Sequence, residues 1–107
     1  MPRRRRFTII FAPETLAHLD VIERKDHRLI RQAIEKQLSF LPEQVTRNRK
    51  PLEQPPLFDA TWELRFGPDN RFRVFYEVES PTRVIRVLAI GIKEQNKLRI
   101  GGEEFEP

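Results

Sequence analysis

The sequence predicts an α+β fold in which an N-terminal strand and a two-helix hairpin pack on an antiparallel sheet of about four strands. Three observations predict it. Residues 62–66 and 72–78 alternate apolar and polar side chains, as half-buried strands do. Residues 84–92 are apolar almost throughout, as a strand in the middle of a sheet is. Residues 13–41 place their apolar side chains at helical spacing instead. A length of 107 residues suits one domain spanning 1–107, with a basic arm at 1–6 and an acidic tail at 101–107.

The first predicted strand is 7–11, Phe7-Thr8-Ile9-Ile10-Phe11, an apolar and β-branched run bounded by Arg6 and Pro13. Pro13 fits a first helical turn, Glu14 suits the positive end of a helix dipole, and Leu16, Leu19 and Ile22 form one stripe, so the first helix spans 13–24. The second spans 27–41, with Asp26 as N-cap, Leu29, Ile30, Ala33, Ile34, Gln37, Leu38 and Leu41 on its stripe, and Pro42 as its stop. Residues 42–60, with four prolines and the run Arg47-Asn48-Arg49-Lys50, read as a basic loop. Three strands follow in a meander, separated by turns at Gly67-Pro68-Asp69-Asn70 and Ser80-Pro81-Thr82. A short helix over 93–99 then precedes Gly101-Gly102 and the tail.

Charge narrows the class of partner. Lys and Arg number 20 against 16 acids, for a net +4, and setting aside Glu103, Glu104 and Glu106 leaves about +7 for the rest. That balance favours a polyanion, either nucleic acid or an acidic protein segment. The absence of cysteine excludes disulfides and thiolate chemistry, and the apolar run after Arg3 to Arg6 is too short for a signal sequence or a membrane span. A cytoplasmic protein without a membrane partner is the expectation. His18 and His27 have no metal-ligand spacing and no glycine-rich phosphate loop is present, so neither a metal nor a small-molecule cofactor is expected.

The chemistry-bearing residues lie in the meander. With Trp62, Leu64 and Phe66 under the helices, Glu63 and Arg65 face the opposite side, and Arg73 joins them from the next strand. Lys93 stands at the rim of the central strand, after Gly91, where a glycine allows close approach of a backbone or ligand. Cleaving RNA through its own 2′-hydroxyl needs charge stabilisation at the phosphoryl group and a proton acceptor and donor. Arginine suits the first task, and Glu63 or Lys93 would move protons. A structural reading stands beside this one: Glu63 pairs across strands with Arg73, and the arginines are solvated or packed on the sheet. Arg3 to Arg6 is read either as a solvated arm or as a nucleic-acid contact.

The order strand, helix, helix, basic loop, three-stranded meander, with Phe72-Arg73-Val74-Phe75-Tyr76-Glu77-Val78 and Ala89-Ile90-Gly91-Ile92-Lys93-Glu94, resembles the RelE/ParE toxin superfamily of bacterial type II toxin-antitoxin systems, and within it the RelE branch. The resemblance covers nearly the whole chain. It implies a RelE-like toxin domain that cleaves messenger RNA on the ribosome, inhibits translation and is neutralised by a cognate antitoxin. On it, Arg73 matches a phosphate-binding arginine, Arg65 a basic strand position, and Lys93 a basic residue after the glycine, giving the catalytic set Arg73, Arg65, Lys93 and Glu63. Arg47, Arg49, Lys50 and Arg71 become RNA-binding candidates. Two departures stand out: Glu63 occupies a position that is basic in the RelE pattern, and the C-terminal tyrosine of that pattern has no counterpart, since Tyr76 is the only tyrosine. A ParE-like toxin that inhibits gyrase, or an inactive RNA-binding homologue, are the alternatives.

Overall fold

The computed structural model of the chain describes residues 5–53 and 57–105. Part of the basic arm, part of the proline-rich loop and the end of the tail therefore lie outside the described residues. Strand β1 (Thr8–Phe11) leads into α1 (Glu14–Asp20) and α2 (Arg24–Leu38), and a loop carrying β2 (Arg49–Pro51) follows. Then come β3 (Trp62–Phe66), β4 (Phe72–Glu79), β5 (Val84–Glu94), β6 (Lys97–Ile100) and β7 (Glu103–Phe105). The α+β class and the central meander are as the alternation predicts, but among the described residues the sheet has seven strands where about four are expected.

The additional strands have local causes. Residues 93–99 form a hairpin and not the expected helix, because Gln95 and Asn96 take φ of 51° and 66°, a two-residue turn that reverses the chain between β5 and β6. Leu98 and Ile100 then alternate with Lys97 and Arg99 at strand period, and the expected tail supplies β7 on the far side of β6. The basic loop contains β2, which pairs antiparallel with β3, Lys50 opposite Glu63.

β5 is central, as its apolar run predicts. It pairs with β4 along one edge; on its other edge β1 docks parallel against residues 84–87 and β6 antiparallel against 91–94. His18 stands at the break between those two neighbours, where the Ile90 N–H donates to its Nδ1 at 3.3 Å.

α1, at seven residues, is shorter than its sequence boundaries, while α2 keeps a length of fifteen residues and lies three residues earlier. α1 ends at Asp20, and α2 starts after Glu23, which takes the N-cap place expected of Asp26. The reversal therefore falls at 21–23, where the His27 ring nitrogen Nε2 lies 2.9 Å from both the Leu19 and Ile22 carbonyls and closes the end of α1. Leu16, expected in the apolar stripe, is 70% exposed; the short helix instead turns Thr15 and His18 inward. α2 buries Ile30, Ile34 and Leu38 against Leu64, Val74, Tyr76, Ile85 and Val87, forming the main core on one face of the sheet. The opposite face carries a second apolar cluster in which Ala60, Leu98 and Ile100 close over Phe75 and Ala89. Part of the face expected to be open is therefore covered.

Candidate functional site

The uncovered part of that face holds the charged residues of the meander. β3 and β4 pair with Arg65 opposite Arg73 and Glu63 opposite Phe75, so alternation sends all three charged side chains away from the helices. Two arginines side by side repel, and Glu63 resolves this. Its carboxylate accepts from the Arg65 Nε at 2.8 Å and from an Arg73 guanidinium nitrogen at 3.5 Å, with the Lys50 Nζ at 3.9 Å. Glu63 is 5% exposed and Arg73 7%, so this is a buried anion inside a ring of three cations.

The cluster is held by backbone as much as by charge. Arg73 donates through Nε to the Asn70 carbonyl at 2.9 Å, presented by the tight turn Pro68–Asn70, in which Asp69 and Asn70 both have positive φ. Arg65 is fixed through its main chain by Asn48, whose carbonyl accepts the Arg65 N–H at 2.7 Å and whose amide donates to the Arg65 carbonyl at 2.8 Å. Burial, and then the neighbouring Arg65, pull the Arg73 guanidinium below its ordinary value, while Glu63 acts in the opposite sense. Sequence reading missed Asn48 and Asn70. The signals were present, an asparagine inside the basic run and one closing a Gly-Pro-Asp-Asn turn, but nothing in the pattern said which backbone groups they would meet.

The other candidates disperse. Lys93 lies on the same face and is half-buried, with its N–H donating to the Arg71 carbonyl at 2.7 Å. Arg71 reaches Glu94 at 3.9 Å and lies over the Phe72 ring. Arg47 is exposed on the loop. Arg49 turns to the helix side, where it is buried and donates to the Gln37 carbonyl in the last turn of α2, a cation satisfying a helix C-terminus. Gly91 makes room for a neighbour and not for a ligand: a Cβ there would lie 2.8 Å from the Arg99 carbonyl and from the Ile100 side chain.

The proton carriers lie elsewhere. Tyr76 is fully buried on the helix side, donates to the Pro42 carbonyl at 2.7 Å, and is pushed well above the ordinary phenol range by burial. His18 is buried between α1 and β5, near the Phe58 ring and Gly101. Chemically, the site is a fixed cationic patch with an internal counter-ion, suited to holding an anionic group at the exposed edges of Lys50 and Arg65. Among the described residues, no group of three His, Asp or Glu is placed to hold a metal ion, and no helix is long and apolar enough to cross a membrane.

No curated protein matches the chain. A family model does: the one described as ParE toxin of type II toxin-antitoxin system, parDE, matches residues 9–97, from β1 into β6 and across every residue of the cationic cluster. The chain belongs to that family, and so to the RelE/ParE superfamily of type II toxin-antitoxin toxins.

Proposed function

We propose that this toxin acts as a ParE-type inhibitor of DNA gyrase, by holding a protein target and not by cutting messenger RNA. The observation that carries the reading is the closure of Glu63. The carboxylate placed to act as a base is buried, and both its oxygens are turned to Arg65, Arg73 and Lys50, so it serves as a structural counter-ion and is not presented to a substrate hydroxyl. The imidazole of His18 is engaged at the break between β1 and β6, and the phenol of Tyr76 on the helix side of the sheet. The matched family, named for ParE, supports the same branch. Membership also implies a cognate antitoxin as partner. The test is purified toxin with gyrase and supercoiled plasmid: inhibition with trapped cleavage complexes is expected, relieved by the antitoxin, whereas unaltered gyrase turnover at excess toxin would defeat the reading.

One observation favours a second reading, the ribosome-dependent messenger RNA endonuclease. Arg65 and Arg73 lie opposite each other with Lys50 and Lys93 on the same face, an arrangement able to hold a phosphoryl group. On that reading Arg73 and Arg65 stabilise the phosphate, Lys93 assists and Glu63 is the base, while Arg47, Lys50 and Arg71 line the RNA path. Primer extension on messenger RNA after brief induction separates the two. Cuts that vanish with Arg73→Ala belong to the nuclease, and growth arrest with intact messages belongs to the gyrase inhibitor.

A further inference from the structure

A second cationic surface lies at the other end of β5, and neither functional reading uses it. Arg6 lies over the Phe40 ring at 5.6 Å to the centroid, and Arg83 over the Phe7 ring at 5.6 Å. The two are brought together by backbone: the Phe7 N–H donates to the Ser39 carbonyl at 2.7 Å and the Thr8 N–H to the Arg83 carbonyl at 2.8 Å. Arg5, Arg6 and Arg83 are all exposed, and among the described residues none of them has a carboxylate within ion-pair distance. Four acids lie nearby, and one of them, Glu43, accepts from the Ser80 hydroxyl in the same turn as Arg83. Glu77 and Glu79 both pair with Arg86, at 3.6 and 3.3 Å, and Glu35 shares a cleft with Arg6 without pairing to it.

We propose that this end of the sheet, centred on Arg6 and Arg83, docks the phosphodiester backbone of a nucleic-acid duplex. A guanidinium laid on an aromatic ring has its face occupied and its N–H edge free, so both arginines present pre-set forks of the shape that phosphate oxygens accept. A second, independent feature marks Arg83. It ends the β4–β5 turn with φ of 55°, in the left-handed region where glycine, asparagine or aspartate is the ordinary choice. A glycine would satisfy that backbone better, so exchanging Arg83 for glycine removes the side chain without straining the turn. The distribution of charge selects the partner. Arg5 and Arg6 are successive residues, and α2 carries exposed Arg28 and Arg31 on the stripe that leads to Glu35, so the cations spread over a surface and do not converge on one point. A spread of cations matches a duplex, with a charge about every 1.7 Å of axis, better than it matches one carboxylate. The surface is separate from the Glu63 cluster, because Val84 and Gly91, the β5 residues beside the two sites, are seven residues apart, roughly 23 Å of strand.

The test is fluorescence anisotropy of the full chain with a labelled duplex of about 20 base pairs, titrated between about 50 and 200 mM salt. Wild type is compared with Arg83→Gly, which relaxes the turn and so keeps the fold, with Arg6→Ala/Arg83→Gly, and with Lys97→Ala, an exposed cation on β6 outside both sites. The expected result is a loss of at least about tenfold in affinity for the double variant, a salt slope lower by about 2, a slope lower by about 1 for Arg83→Gly alone, and no change for Lys97→Ala. An unchanged slope in both Arg83 variants, or an equal loss with Lys97→Ala, overturns the proposal. So does competition by a poly-glutamate peptide as effective as unlabelled duplex at equal charge, which would assign the surface to an acidic protein segment.

Discussion

Glu63 gathers three cations around one carboxylate, and its replacement measures what that closure is worth. Glu63→Gln keeps the shape and removes the charge, leaving Arg73 buried beside Arg65 without its counter-ion. A loss of about 2 kcal/mol is expected, below the usual figure for a broken buried pair because Lys50 and Arg65 are partly solvated. Urea unfolding checks it; an unshifted midpoint would mean that solvent already screens the cluster. His18 supplies a pH dependence. Burial lowers its affinity for a proton below the ordinary histidine value, with Glu14 acting weakly the other way, and its Nδ1 must stay unprotonated to accept from the Ile90 N–H. The unfolded chain therefore binds the proton more readily than the folded one. The contribution is fully present above about pH 6.5 and is lost as pH falls through the folded value. Urea midpoints should drop on acidification below that point, and His18→Gln should flatten the drop. The placement of Glu63, Arg65 and Arg73 on one face was legible in the sequence, because strand alternation fixes faces. The role of His18 was not, because it depends on a gap between two strands that are distant in sequence.

At the scale of elements, Gly91 leaves no room for a side chain between β5 and β6. Gly91→Ala would push a methyl group against the Arg99 carbonyl, which is backbone and cannot turn aside, as well as against Ile100. A destabilisation of about 1–3 kcal/mol is expected, read as a fall in the thermal midpoint, with the hairpin amides exchanging faster with deuterium. Retention of full stability would show that β6 can slide. The strands that were legible share a trait: β3, β4 and β5 carry long alternating or continuous apolar runs. β6 was read as helix because Leu98 and Ile100 gave only one alternation in a charged segment. β2 was hidden among prolines, and it forms because Asn48 and the β3 backbone supply its partners. Helix boundaries slipped because Asp26 looked like a cap while Glu23 already stood at the start of α2.

For the molecule as a whole, the second apolar cluster decides what may be removed. Deleting residues 95–105 takes away Leu98, Ile100 and Phe105 and bares Phe75 and Ala89, which are 1% and 0% exposed. The expected outcome is loss of the cooperative thermal transition; a shortened chain that still melted sharply would make the C-terminal hairpin dispensable. The parallel docking of β1 has a consequence of another kind, in time. Thr8 precedes its ladder partner Val84 by 76 residues, so a ribosome makes β1 well before the strand it pairs with. Until β5 has emerged, β1 and the helices that follow it have no sheet to close upon, and so long-range a pairing is slow to form. Synthesis thus leaves an interval in which β1 and the two helices have emerged without the strand they close upon, and in which a binding partner meets the toxin unfinished.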